Sequence, residues 1–357
     1  VLSIWLHLLS WLYGLVVGLR NFLYDKKIKT SRCYIKPLLV NIGNLSAGGT
    51  GKTPFVIYLA QLFAEQKVVA VLSRGYKRKS SGFRLLNAHT TAATAGDEPW
   101  LIYQKTRQNF NIVVAVCENR IQGIAHITSY RPDVEIVLLD DAFQCRSIIP
   151  HVNILLTTFH RPFFTDHLLP LGRLREPQAA SKRADIIIVT KCPSNLTKKN
   201  MTELQGTLQT YAPSAIFFTY IRYHKAVNIW SHQPVKVPST LLLVTAIADP
   251  WPLYSHLKRA GYNVLHLAFP DHHWFKYKDI VHIINRFHAL QDVNKAIITT
   301  EKDRARLINQ PWTGLLTAFP ILYIPMEVGF LPSNGHKECI TQIDTLLYKP
   351  DRRGSNE

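Results

Sequence analysis

Acidic residues are scarce in this chain, and cysteines are never paired. Its 357 residues include 24 Asp and Glu against 42 Lys and Arg, a formal charge of +18 with a pI near 9.7. That balance draws a protein toward an anionic partner: nucleic acid, a membrane surface or a phosphorylated ligand. No recognised nucleic-acid-binding motif is present, so nucleic acid is not expected as the partner. Cys33, Cys117, Cys145, Cys192 and Cys339 occur without any C-x-x-C spacing. A disulfide framework or structural zinc site is therefore not expected, and a reducing compartment is. Internal repeats are also lacking. With 47% hydrophobic and 18% charged residues the composition excludes wholesale disorder, and the length is more than twice the roughly 150 residues of one domain.

No formal charge precedes Arg20, and the stretch VLSIWLHLLSWLYGLVVGLR is about as long as a bilayer crossing requires. Yet Ser3, His7, Ser10, Gly14 and Gly18 recur at steps of three or four. This gathers small and polar residues on one helical face and leaves Trp5, Leu8, Leu9, Leu12 and Val16 on the rest. The pattern predicts a membrane-associated helix over 1–25, lying in or against the interface, with a single span or an ordinary packed helix as the alternatives. The basic n-region and cleavage site of a secretory signal are missing. Lys26, Lys27, Lys29, Arg32 and Lys36 follow the apolar stretch, so the remainder is expected on the cytoplasmic side.

Beyond residue 36, short β-branched apolar runs (38–42, 68–72, 112–116, 135–139, 154–157, 186–190) alternate with helical stretches. Such units predict an α/β fold with a parallel sheet covered on both faces. An alternating aromatic segment at 215–223 precedes further runs at 241–244, 264–267, 296–300 and 321–324, which suggest a second, smaller α/β domain. The expected division is 26–220 and 221–357, and the tail 349–357 reads as disordered.

The strongest local motif is NIGNLSAGGTGKTP, residues 41–54, between an apolar strand and a helical pattern. Strand, glycine loop and helix are the setting of a P-loop, the phosphate-binding loop. Ser46, Ala47, Gly48, Gly49, Thr50 and Gly51 would supply backbone N–H groups, Lys52 a cation for the terminal phosphates, and Thr53 a hydroxyl for Mg²⁺. Ser46 stands where the general pattern has its first glycine, and Ala47 where related cargo-loading ATPases carry a lysine. EIVLLDDAFQ ends a strand in Asp140 and Asp141, acids placed to hold Mg²⁺ near a nucleotide. Asp97, just before Glu98-Pro99, reads locally as a helix cap. Arg175 and Glu176 read locally as a surface ion pair. Lys302 and Asp303 in TTEKD read as either a nucleotide-side or domain-closing element or a simple salt bridge.

The ordered set GNLSAGGTGKTP, SRGYKRK, GDEP, DDAFQ, LLPLGRLREP, ADIIIVTKCP, FPDHHWF and TTEKDRARL resembles the tetraacyldisaccharide 4'-kinase family. The resemblance runs from the N-terminal helix to about residue 330. It departs at Ala142 and Cys145, where the family usually reads DDGFQH, and at Asn119, where it commonly has an aspartate before the arginine. The resemblance implies ATP- and Mg²⁺-dependent phosphorylation of the 4'-hydroxyl of a tetraacyldisaccharide 1-phosphate, giving lipid IVA, by an enzyme expected to be monomeric at the cytoplasmic face of the inner membrane. Asp97 becomes the proton acceptor and His272 its partner. Arg175 stabilises the transferred phosphoryl group beside Lys52, and Glu176 joins Thr53, Asp140 and Asp141 around Mg²⁺. Arg74, Tyr76, Arg120 and Gln144 contact the sugar or its 1-phosphate. The rival readings are a membrane-associated ATPase or GTPase switch and a catalytically silent lipid-binding module.

Overall fold

The computed structural model describes residues 2–308 and 311–349; the expected disorder of the tail falls almost wholly outside them. In chain order, helix α1 (Leu2–Asp25) precedes β1 (Leu38–Asn44), α2 (Lys52–Phe63), β2 (Val69–Ser73), β3 (Arg84–Leu85), the single turn α3 (Ala92–Ala95), α4 (Asp97–Thr106), β4 (Ile112–Val116), α5 (Arg120–Tyr130), β5 (Ile136–Asp140), β6 (Val152–Thr158), β7 (Ile186–Thr190), α6 (Lys198–Tyr211) and β8 (Ala215–Tyr223). A second group follows: β9 (Val227–Asn228), β10 (Thr240–Thr245), α7 (Trp251–Arg259), β11 (Asn263–Ala268), α8 (Tyr277–His288), β12 (Lys295–Thr300), α9 (Glu301–Leu307), β13 (Ile321–Ile324), β14 (Met326–Leu331) and α10 (Gly335–Leu347).

Two sheets result. The larger runs β14-β8-β7-β6-β1-β5-β2-β4-β3 and is parallel apart from its edge strands β14 and β3; the smaller runs β11-β10-β12-β13-β9 with only β9 antiparallel. The apolar runs become strands because both faces are covered: β1, β2, β5 and β7 are buried along their whole length. Strand β1 lies between β5 and β6, so the loop after it opens at the carboxyl ends of central strands.

The expected cut near residue 220 needs correction at its far side. After the small sheet, the chain returns and β14 pairs with β8 along six residues, from Met326↔Tyr223 to Leu331↔Phe218. Cys339, Ile343 and Leu347 of α10 are buried in the large sheet's core with Leu38 and Val152. The physical reason is that β8 would otherwise leave an unpaired edge. Residues 326–347 therefore pack with the large sheet, and two connections link the sheets.

Only part of the small and polar stripe of helix α1 turns inward: Ser10 and Gly14 pack on the protein together with Tyr13, Val17 and Arg20, while His7 and Gly18 are exposed. Ser10 Oγ donates to Leu168 O at 3.0 Å, Tyr13 OH donates to Arg175 O at 2.9 Å, and Arg20 pairs with Glu176. At Gly14 any Cβ would stand 3.0 Å from Leu168 Cδ1, so a small residue permits the close approach. Trp5, Leu8, Leu9, Leu12 and Val16 face outward and are exposed. Ser3, the first residue of the stripe, has a side chain outside those described.

Candidate active site

The loop after β1 is shaped by its glycines. Gly48 and Gly51 adopt φ of 108° and 84°, conformations that side chains with a Cβ rarely take, and Gly51 caps α2. Lys52 and Thr53 thereby occupy the first turn of α2, where free N–H groups and the helix dipole favour an anion. The 168–177 segment buttresses this loop: Ala47 N donates to Arg173 O, Arg175 N donates to Leu45 O (both 2.7 Å), and Ser46 bridges Leu174. Thr190 Oγ1, at the end of β7, donates to Thr50 O at 2.8 Å.

Asn44, the last residue of β1, organises the charges, and sequence reasoning missed it. Its Nδ2 donates to Ser46 O at 2.7 Å and to Thr50 Oγ1 at 2.6 Å; its Oδ1 accepts from Lys52 Nζ at 3.3 Å and from Arg175. Arg175 also donates to Asp141 at 2.7 and 3.1 Å, and Lys52 Nζ lies 3.6 Å from the same carboxylate. Burial would raise the Asp141 carboxyl, but Lys52 and Arg175 outweigh it and hold it well below the usual range. Asp140, at the end of β5, behaves oppositely. Burial, with repulsion from Glu98 and Asp141, pushes it up to about 6 against the help of Ser73 and Lys52. Ser73 Oγ donates to Asp140 Oδ2 at 2.7 Å, while buried Oδ1 has no hydrogen-bond partner. An unsatisfied buried carboxylate oxygen on the same cavity wall as Asp141 and Thr53 belongs to a hard oxygen-donor set, which fits Mg²⁺.

Asp97 begins α4, yet it does not cap that helix in the expected way. Its Oδ1 accepts from the adjacent Glu98 N at 3.1 Å, while Oδ2 meets Arg306, lies 3.0 Å from His272 Nδ1 and 3.8 Å from Lys302 Nζ. Burial alone would raise this carboxyl. The hydrogen bond to His272 and the cations Lys302 and Arg306 reverse that and hold it well below the usual range. Tyr76 sets its ring edge-on to His272, centroids 5.7 Å apart. Lys302 donates to Glu98 Oε1 at 2.8 Å, and Asp303 accepts from Ala246 N and Thr300 Oγ1. Of the two readings of TTEKD, the structure supports a contact between sheets, with Lys302 and Asp303 engaged by protein partners. Arg306, buried at the centre of it, was not singled out in the sequence; its motif carries no signal for a partner 209 positions away.

A single cavity of about 1160 Å³ is lined by residues 46–53, Arg74, Tyr76, Asp97, Arg120, Asp140, Asp141, Gln144, Arg175 and His272. That size accommodates more than one small ligand. Lys77, Asp141, Lys191 and His272, all on its wall, hold positive φ of 49° to 61° without being glycine. Strained backbone of this kind concentrates at functional sites. Lys191, just past β7, donates to Asp249 Oδ2 at 2.7 Å and so spans the cleft. Gln144 Nε2 donates to Asn44 O at 2.9 Å and leaves a buried Oε1 unpaired. Arg120 is committed to the protein, donating to Cys117 O at 2.7 Å and Asp140 O at 2.9 Å.

Glu176 is the correction among the expected metal ligands. It is fully buried away from the cavity, gripped by Arg20 of α1 and by Arg183. The chain direction after Arg175 explains this: Arg175 points to Asp141, and its neighbour is turned under α1.

The model for the family described as LpxK, tetraacyldisaccharide-1-P 4'-kinase, matches residues 2–347. The chain is 41% identical over 360 residues to the tetraacyldisaccharide 4'-kinase of Phocaeicola vulgatus, covering 99% of this chain and 97% of that protein. It is 40% identical over 347 residues to that of Bacteroides thetaiotaomicron, covering 93% and 90%. Among solved structures, it superposes on LpxK from Aquifex aeolicus in complex with ATP with a TM-score of 0.72 at 26% identity, covering 98% of this chain and all of that one.

Proposed function

Because the chain belongs to the tetraacyldisaccharide 4'-kinase family and so phosphorylates a tetraacyldisaccharide 1-phosphate with ATP in lipid A biosynthesis, we propose a division of labour among the residues around its cavity. Residues 46–53 hold the ATP phosphates, with backbone N–H groups and Lys52 facing the terminal group. Asp97 accepts the proton of the attacking 4'-hydroxyl, and His272 aligns that carboxylate. The cations and hydrogen bond around Asp97 keep it ionised and so able to take a proton at any physiological pH, while making it a weaker base than a free carboxylate. Lys52 and Arg175 balance the charge that spreads over the transferred phosphoryl oxygens. Arg175 is held over Asn44 and Asp141 on the wall of the cavity that the loop also lines.

Thr53, Asp140 and Asp141 would hold Mg²⁺; when bound, the ion neutralises negative charge on phosphate oxygens. Arg74, Tyr76 and Gln144 contact the sugar or its 1-phosphate. Arg120 supports Asp140 instead, since its guanidinium is occupied by main-chain carbonyls.

The lipid reaches the site from a membrane surface, at the cytoplasmic face, through α1. Ser10 to Arg20 are docked on the large-sheet unit. The helix therefore lies along the surface with its apolar face outward and Lys26, Lys27, Lys29 and Arg32 nearby for anionic headgroups. Tyr13 and Arg20 of the same helix line the cavity, which puts the greasy and the phosphate-binding ends of the reaction side by side.

The observation that carries this reading is the presence of the phosphate loop and the Asp97–His272 pair on the wall of one cavity. Lipid phosphorylation assayed with Lys52→Ala and Asp97→Asn tests it. Both variants lose transfer; transfer at the parental rate in Asp97→Asn would remove the acceptor role.

A further inference from the structure

Four ion pairs join α4 of the large-sheet unit to α9 of the small one. Asp97 meets Arg306 and Lys302, Glu98 meets Lys302, and Lys105 meets Glu301. Arg306 differs from the others. It is fully buried, and it is tied to its own unit at two further points: Nη1 donates to Ala246 O at 2.8 Å and to Asp303 Oδ1 at 3.1 Å. Its Nη2 is left for Asp97. A planar guanidinium can make these bonds at once from one rigid group, which an ammonium cannot.

Ala246 directly follows β10 and accepts a main-chain bond from His272 N at 3.1 Å. The carbonyl that anchors Arg306 therefore also anchors the histidine loop. Arg306 and His272 reach the same Asp97 oxygen from a shared support, one by guanidinium and one by imidazole. We propose that Arg306 is a positioning residue for the proton acceptor: it fixes the Asp97 carboxylate in its ionised, aligned state and does so only when the small-sheet unit is docked on α4. This rests on the reading of Asp97 as the acceptor.

The charged surroundings of Asp97 define what the test must separate. From α9 come Arg306 and Lys302, with Asp303 behind Arg306. From the loop after β11 comes His272, whose Nε2 has Asp271 at 3.7 Å. On α4 itself Glu98 is neutralised by Lys302. Removing Arg306 takes away the one cation bonded directly to Asp97, so the acceptor should protonate at higher pH. The phosphate loop lies outside this network, so ATP binding should be untouched.

The experiment measures kcat and KM for ATP in full-length Arg306→Gln, Arg306→Lys and Asp97→Asn, with melting temperature recorded for each. In folded Arg306→Gln, kcat falls by about ten- to a hundredfold while KM for ATP stays within about twofold. Arg306→Lys retains the charge and recovers part of the lost kcat, yet stays severalfold below the parent because one ammonium cannot hold Asp97 and Ala246 together. Parental kcat in folded Arg306→Gln, or kcat and ATP KM worsening together with the melting temperature and no recovery in Arg306→Lys, would show a structural role and overturn the proposal. Should Arg306→Gln not fold, Arg306→Lys decides alone: lowered kcat at unchanged ATP KM supports the assignment, and parental kcat overturns it. Parental kcat in Asp97→Asn would instead remove the acceptor reading beneath it, a result distinguishable from failure at Arg306.

Discussion

Asp97 holds a negative charge in a nearly dry setting because three cationic or hydrogen-bonding groups converge on one oxygen. A carboxylate whose pKa is depressed by folding adds stability at every pH above its unfolded value, here 3.8, and loses it as pH falls through the depressed value. The gap in melting temperature between the parent and Asp97→Asn should therefore be constant from pH 5 to 8 and shrink below about 4; a gap that varies between pH 5 and 8 would mean another group is titrating. On activity, Asp97→Asn should lower kcat by about 10²- to 10⁴-fold, the usual worth of a positioned proton acceptor, with ATP KM little changed. Glu176 predicts the reverse pattern. Its carboxylate is buried between two arginines, so Glu176→Gln should cost on the order of 3–5 kcal/mol of stability, seen as a lowered melting temperature. The Mg²⁺ concentration dependence of turnover should stay the same; a weakened Mg²⁺ dependence would return Glu176 to the metal. Local sequence could not separate Arg175 from Glu176, because adjacent charges look alike until the chain's turn sends one to Asp141 and the other under α1.

At the level of elements, the β-branched runs and the glycine loop were legible because their causes are local: burial on both faces for the strands, and positive φ at Gly48 and Gly51 for the loop. The stripe on α1 was legible in part: Ser10 and Gly14 are docked on protein, but Tyr13, Val17 and Arg20 complete that face, while His7 and Gly18 are exposed. With that orientation known, Trp5→Ser, Leu12→Ser and Val16→Ser together should reduce sedimentation with anionic vesicles while leaving melting temperature nearly unchanged, since these side chains touch solvent. Undiminished sedimentation would move the membrane contact elsewhere. What was not legible depended on pairs far apart in the chain. Asn44 gathers Arg175 from 131 positions away, and Arg306 meets Asp97 across 209. Neither partner is marked by spacing or periodicity, because ion pairs across a fold leave no local pattern.

Across the whole molecule, two sheets are joined by two chain connections and by the ion pairs of α4 with α9, while the cavity is shared between them. The return of β14 to the large sheet escaped the sequence reading because one apolar run says nothing of which sheet edge it will cover. An enzyme assembled in this way should waste little ATP in the absence of lipid, since the acceptor and the phosphate loop are completed by different units. ATP hydrolysis measured without lipid should be slow beside transfer with it; hydrolysis that ignores the lipid would favour a nucleotide switch. The most direct measurement of the central assignment is transfer of label from γ-labelled ATP to tetraacyldisaccharide 1-phosphate in a single turnover, comparing the parent with Lys52→Ala and Asp97→Asn. The parent should deliver the label to the 4'-oxygen, Asp97→Asn should bind ATP but transfer it far more slowly, and Lys52→Ala should transfer almost none; rapid transfer by Asp97→Asn would contradict the account.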